Sequence, residues 1–175
     1  MNNSVRAGYE ELGVEDYYLK HSDDYSNPHI NIIKAIFDNS ECYNYIGTNI
    51  LDLCCGSGEV TNILKNENFN NIEGLDPFTA SAYKRNTGKK CLIYNFKDIV
   101  NGALNNKRYD TIICSYAMHL CEESMLNILL YQLSLIADTL IIITPHKRPK
   151  IACWWKEVYS FKYSGTTLKI YRKEQ

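Results

Sequence analysis

Residues 49–60 read Asn-Ile-Leu-Asp-Leu-Cys-Cys-Gly-Ser-Gly-Glu-Val, and they constrain this chain more than any other stretch. An apolar run carrying one acid, Asp52, breaks into a turn of small residues that holds Gly56 and Gly58. A helix-compatible segment follows. Glycine has no Cβ and tolerates positive φ, so the backbone of such a turn passes close to a ligand. A strand, a glycine turn and a helix in this order mark the first crossover of a nucleotide-binding α/β domain.

The rest of the chain continues that alternation. Strands are expected at 50–54, 72–75, 91–94, 111–115 and 140–143, with helices at 59–65, 78–85 and 122–136 between them. Two further strands, 158–163 and 167–171, flank Ser164-Gly165 like a hairpin. Upstream, Asn27-Pro28 reads as a helix start, Asn capping and Pro in the first turn, followed by an apolar face of Ile30, Ile33 and Phe37. The expected fold is α/β: a Rossmann-like, doubly wound, mostly parallel seven-stranded sheet closed by an antiparallel C-terminal hairpin. Residues 48–175 form the core of one compact domain. Residues 1–47 supply a tyrosine-rich arm and a helix that cover the site.

Seven cysteines, odd in number and without a CxxC, read as buried free thiols of a reducing compartment. No apolar run reaches the ~20 residues of a membrane span. The opening Met-Asn-Asn-Ser-Val-Arg lacks the apolar core of a secretory leader, so a cytoplasmic protein is expected. A net charge of −1 argues against general attraction to nucleic acid or to a membrane. The basic stretches 147–150 and 162–173 read first as solvated surface and second as a binding patch.

Ligands of such sheets bind beyond the carboxyl ends of the strands, where the strand order reverses. Asp76, at the end of the second strand, can accept hydrogen bonds from both hydroxyls of a ribose; it serves equally as a helix N-cap. Asp98 can accept from an adenine amine while Ile99 packs on the ring, or Asp98 can act as a plain capping acid. A dinucleotide is disfavoured. The fingerprint G-x-G-x-x-G is incomplete, with Cys54 in the place of a preceding glycine and Thr61 where the last glycine or alanine belongs. Asp52 and Glu59 flank the turn in place of Lys or Arg, which suits a ligand with positive charge and no phosphate.

Ile-Leu-Asp-Leu-Cys-Cys-Gly-Ser-Gly-Glu-Val-Thr at 50–61 resembles motif I of the class I S-adenosylmethionine-dependent methyltransferases. Gly-Leu-Asp-Pro at 74–77 resembles their second acidic motif, Phe-Lys-Asp-Ile at 96–99 their adenine-contacting segment, and 109–120 their fourth strand and its loop. The resemblance covers about residues 48–172 and implies S-adenosyl-L-methionine as cofactor. It places the methionine part at Asp52 and the backbone of Cys54, Gly56 and Gly58, the ribose at Asp76 and Pro77, and the adenine at Asp98 and Ile99. It implies that Ser115 lines the site; Tyr18 and Tyr25 of the arm read as a lid over the cofactor or as packing. Cys54 departs from the family's glycine. It fits readily at negative φ, and costs of order 1 kcal/mol at positive φ.

Transfer needs a nucleophile placed in line with the methyl group and, where that nucleophile is protonated, a base. His119 and His146, after the fourth and fifth strands, and His29, in a first helical turn, are the candidates. A histidine that merely starts a helix (His119), or that shapes its loop beside Pro145 (His146), accounts for these positions equally well. Tyr17 and Tyr116 are further pocket candidates. Trp154-Trp155 reads as core and sheet-edge packing before a stacking platform. Cys114-x₄-His119-x-Cys121 does not make a zinc site, because Cys114 lies inside an apolar strand, and no metal is expected. The expected activity is methyl transfer to a small-molecule, nucleotide or protein acceptor by a monomer or small homo-oligomer. The alternatives are a catalytically weak cofactor-binding partner subunit and a dinucleotide-dependent oxidoreductase.

Overall fold

The computed structural model of the chain describes residues 27–174. Tyr9, Tyr17, Tyr18 and Tyr25 of the expected arm lie outside the described residues. Seven strands form one sheet: β1 Asn49–Leu53, β2 Asn71–Leu75, β3 Cys91–Leu92, β4 Tyr109–Ser115, β5 Ala137–Thr144, β6 Trp155–Tyr163 and β7 Thr166–Lys173. Their order is β3-β2-β1-β4-β5-β7-β6. β1 to β5 are mutually parallel, and β7 inserts antiparallel between β5 and β6. The α-helices are α1 Ile30–Asn39, α2 Glu59–Asn66, α3 Ala80–Thr87, α4 Phe96–Val100 and α5 Glu123–Ile136. This is the Rossmann-like sheet with an antiparallel hairpin that the alternating pattern implied. No described helix is long and apolar enough to cross a membrane.

The continuous apolar runs have a direct cause. Successive residues of a strand face opposite sides of the sheet, and here both sides are covered. Leu51, Ile112, Cys114, Leu140 and Ile142 join Leu129, Leu130 and Leu133 of α5 on one face. Ile50, Ile113, Ile141 and Ile143 join Ile33, Ile36 and Phe37 of α1 and Val60 and Leu64 of α2 on the other. Each such side chain contributes about 1.5–3 kcal/mol by leaving water. Trp155 is buried and its indole Nε1 donates to Leu130 O at 3.0 Å, tying the hairpin to α5. Trp154 is exposed beside Tyr131, ring centroids 4.9 Å apart.

β4 to β7 run one to three residues beyond their expected ends, and three other boundaries shift through a side chain that captures backbone amides. α1 begins at Ile30 rather than Pro28, because Asn27 Oδ1 accepts from His29 N at 2.9 Å and holds a turn ahead of the helix. α3 begins at Ala80 rather than Phe78, because Asp76 Oδ1 accepts from Phe78 N at 2.9 Å and Thr79 N at 3.0 Å. β3 stops at Leu92 and the unforeseen α4 follows, nucleated by a reciprocal capping box between Asn95 and Asp98.

Gly58 shows how tightly the first crossover is packed. It caps α2 at φ = 94°, and a Cβ there would sit 2.3 Å from Thr87 Cγ2 and 3.3 Å from the Tyr83 ring. Gly58→Ala is therefore expected to destabilise the fold by about 2–4 kcal/mol, combining left-handed backbone strain with overpacking. A urea titration showing an unchanged midpoint would contradict this.

Candidate active site

A cavity of about 1000 Å³ opens at the carboxyl ends of β1 to β5, beside the point where the chain crosses from one side of β1 to the other. That volume accommodates a nucleoside-sized ligand together with a second small molecule. The turn after β1 forms its floor. Cys54 at φ = 56° and Gly56 at φ = 53° are both left-handed, and Cys55 N donates to Leu75 O at 3.0 Å. The strain foreseen for a side chain at position 54 is thus present. Contact with Cys114 and burial hold the Cys54 thiol in its neutral form.

Asp52 is buried and lines the cavity. Its Oδ2 accepts from Thr61 N at 3.1 Å and Thr61 Oγ1 at 2.7 Å, and Thr61 Oγ1 in turn lies 3.0 Å from Tyr83 OH. Burial nevertheless dominates and pushes the carboxyl up to about 7. Thr61, noticed in the sequence only as a missing glycine, is what orients this acid. Asp76 Oδ1 holds the turn ahead of α3 through Phe78 N and Thr79 N. Its carboxylate also accepts from Gly56 N at 3.2 Å and lines the cavity beside Pro77. Thr79 Oγ1 donates to Gly56 O at 2.7 Å and closes the link between turn and helix.

Ser115 lines the wall from β4, its Oγ buried without a hydrogen-bond partner. Buried hydroxyls are normally paired, so this one is an exception. His29, His119 and His146 all line the same cavity. His29 stacks on Tyr116, centroids 4.3 Å apart and planes 10° from parallel. Tyr116 is fixed by its own hydroxyl, 2.6 Å from Thr166 Oγ1. The rings of His119 and His146 lie 4.2 Å apart. Burial, and then the neighbouring His146, lower His119 to about 4; its Nδ1 is buried and unpaired. Burial also lowers His29.

Three of the expected contact residues do not line the cavity. Gly58 faces α3 rather than the cavity, so its role is to let α2 and α3 pack closely. Asp98 does not line the cavity; one of its carboxylate oxygens accepts from Asn95 N at 2.9 Å in the capping box, the capping role open to it in the sequence. Ile99 is buried in the core beneath α4. Asn95, Phe96 and Lys97, together with Phe78, form that part of the wall instead. The spacing N-x-x-D of a capping box was the available signal for this arrangement. Among the described residues no three His, Cys, Asp or Glu side chains are grouped to hold a metal. Tyr18 and Tyr25 lie outside the described residues.

A sheet of this order, with an acid-flanked left-handed turn at its switch point, is the architecture of the class I methyltransferases. The chain belongs to the methyltransferase domain family, whose profile matches residues 23–175. It is 30% identical over 195 aligned positions to an uncharacterised protein of Schizosaccharomyces pombe, covering 87% of this chain and 78% of that one. Its fold is similar to the N-methyltransferase NodS of Bradyrhizobium japonicum, solved with S-adenosyl-L-homocysteine. The TM-score is 0.68 at 13% identity, over 96% of this chain and 99% of the other. Magnesium protoporphyrin IX methyltransferase of Synechocystis, solved with bound S-adenosylmethionine, gives a TM-score of 0.60 at 13% identity over 99% and 100%.

Proposed function

We propose that this methyltransferase uses S-adenosyl-L-methionine and moves its methyl group to an acceptor held between the loops after β4 and β5. The observation that carries this reading is a single cavity that joins the acids Asp52 and Asp76, the left-handed turn at Cys54–Gly56 and the unpaired Ser115 hydroxyl. These groups fit the cofactor. Asp52 suits a cationic amino group, whose arrival would restore its charge; Asp76 suits a ribose diol; Ser115 offers a hydroxyl to the remaining polar edge. Asn95 and Phe96 stand where the adenine would lie.

When bound, the cofactor supplies a methyl group already activated on a sulfonium. The protein's own part is placement and proton handling. The turn and the hydrogen bonds of Asp76 hold one side of the cavity, and alignment of this kind supplies roughly 7–11 kcal/mol of barrier lowering. The His29–Tyr116 stack walls the cavity against solvent. His119, neutral at pH 7 with Nδ1 unpaired, accepts a proton from an acceptor hydroxyl or amine, contributing about 10²–10⁴-fold where the nucleophile is protonated.

Calorimetric titration separates this reading from the oxidoreductase alternative. S-adenosylhomocysteine is expected to bind with micromolar affinity and NADH not to bind. Tight NADH binding without S-adenosylhomocysteine binding would overturn it.

A further inference from the structure

One side of the cavity is held together by a series of contacts that starts at the turn after β1. Glu59, the first residue of α2, lines the cavity. Its Oε1 accepts from Ser57 Oγ in the turn and from Asn27 N at 3.1 Å, 32 residues away in sequence. Asn27 Oδ1 accepts from His29 N at 2.9 Å, and the His29 ring lies on the Tyr116 ring. Tyr116 is itself fixed twice over. Its N donates to Ile143 O at 2.8 Å, and its hydroxyl lies 2.6 Å from Thr166 Oγ1 of β7. Its φ of 57° is a left-handed conformation that a tyrosine adopts only at a cost, and strain of this kind collects at functional sites. Asn27, His29, Glu59 and Tyr116 all line the cavity. The turn after β1 is thereby joined to β7 through the residues just ahead of α1.

We propose that Glu59 is a positioning residue: through Asn27 it sets the His29 ring against Tyr116, so that the cofactor turn and the wall formed by this stack are built as one piece. The proposal rests on the methyl-transfer reading for what the cavity holds, and adds the residue that ties the turn to the wall. The apolar face of α1, with Ile33, Ile36 and Phe37, secures that helix on the sheet. Asn27 and His29 precede the helix and lie outside this core, so polar contacts decide their placement. An acid in the first turn of α2 also favours the helix dipole. That role asks only for negative charge near the helix start, and an acid of either length meets it. The bond to Asn27 N asks instead for an oxygen at the reach of a glutamate, with or without charge. Ser57 Oγ and Asn27 N converge on the same Oε1, so the turn itself aims the oxygen that holds Asn27.

Two conservative variants separate reach from charge. Glu59→Gln keeps an oxygen for Asn27 N and loses the charge; Glu59→Asp keeps the charge and is one methylene too short. Nuclear Overhauser contacts between the His29 and Tyr116 rings would be measured by NMR, and carbethoxylation of His29 by diethyl pyrocarbonate would be followed by mass spectrometry. Glu59→Gln is expected to preserve both the ring contacts and the labelling rate. Glu59→Asp is expected to lose the ring contacts and to label at His29 about tenfold faster, the shift that loss of one hydrogen bond to a charged group produces. Asn27→Ala, which breaks the next link, should give the same loss, and adding it to Glu59→Asp should change nothing further. Lost ring contacts in Glu59→Gln, or intact ring contacts in Glu59→Asp, would overturn the proposal. Absence of S-adenosylhomocysteine binding to the unmodified protein would defeat the cofactor reading instead, and the ring contacts, measured without ligand, would still decide the role of Glu59.

Discussion

Asp52→Asn is expected to melt at a higher temperature than the unmodified protein and to lose its affinity for S-adenosylhomocysteine. The two effects have one source. Burial raises the folded-state carboxyl from 3.8 to about 7. A group raised in this way contributes stability that is fully present below the unfolded value and is lost as pH rises through the folded one. Above pH 7 the ionised, buried Asp52 therefore costs on the order of 4 kcal/mol as an upper bound. Asparagine keeps an oxygen for Thr61 N and removes the charge. A gain of roughly 5 °C at pH 8, shrinking toward pH 5, is the expected calorimetric result. The same charge is what a cationic amino group would seek, so the more stable variant should bind cofactor at least 100-fold more weakly, about the penalty for losing one partner of a buried charge pair. A variant that melts higher and still binds normally would show that Asp52 is purely structural.

His119→Ala should lower the methyl-transfer rate by about 10²–10⁴-fold with little change in S-adenosylhomocysteine affinity, once an acceptor with a protonated nucleophile is in hand. The pH profile carries the sharper signature. With its folded value near 4, the His119 imidazole accepts protons throughout the neutral range, so the rate should fall only on the acid side of about pH 5. Replacing His146 with Ala removes one cause of that depression. An NMR titration of the His119 ring should then show a higher midpoint, moving the acid limb upward. An unchanged rate in His119→Ala would leave placement alone as the catalytic device.

The central strands were legible because they are buried on both faces, and continuous runs such as Thr111–Ser115 and Leu140–Ile143 have no other economical use. The turn after β1 was legible because a segment that must bend and the acid beside it lie close together in sequence. What escaped was decided by side chains reaching across the chain or by short local capture. The stack of His29 on Tyr116 joins residues far apart in sequence, and no periodicity encodes it. Asp98 carried an adenine-binding expectation because it stands two residues into a recognisable segment. One of its carboxylate oxygens accepts from Asn95 N, and the wall is made by the residues just before it. Thr61 was visible only as a broken glycine pattern, although it orients Asp52.

Tyr83 stands behind the whole cofactor turn. Its hydroxyl meets Thr61, its ring flanks Gly58, and a Cβ added at Gly74 would fall 2.3 Å from its Cζ. These positions cannot drift independently. Any side chain at residue 74 requires that residue 83 first lose its ring, and losing the ring strips Thr61 of its partner and loosens the hold on Asp52. The order in which substitutions can accumulate is thus restricted, and a homologue bearing alanine at 74 should already carry a smaller residue at 83. Tyr83 makes the cofactor turn a unit of inheritance as well as a unit of structure.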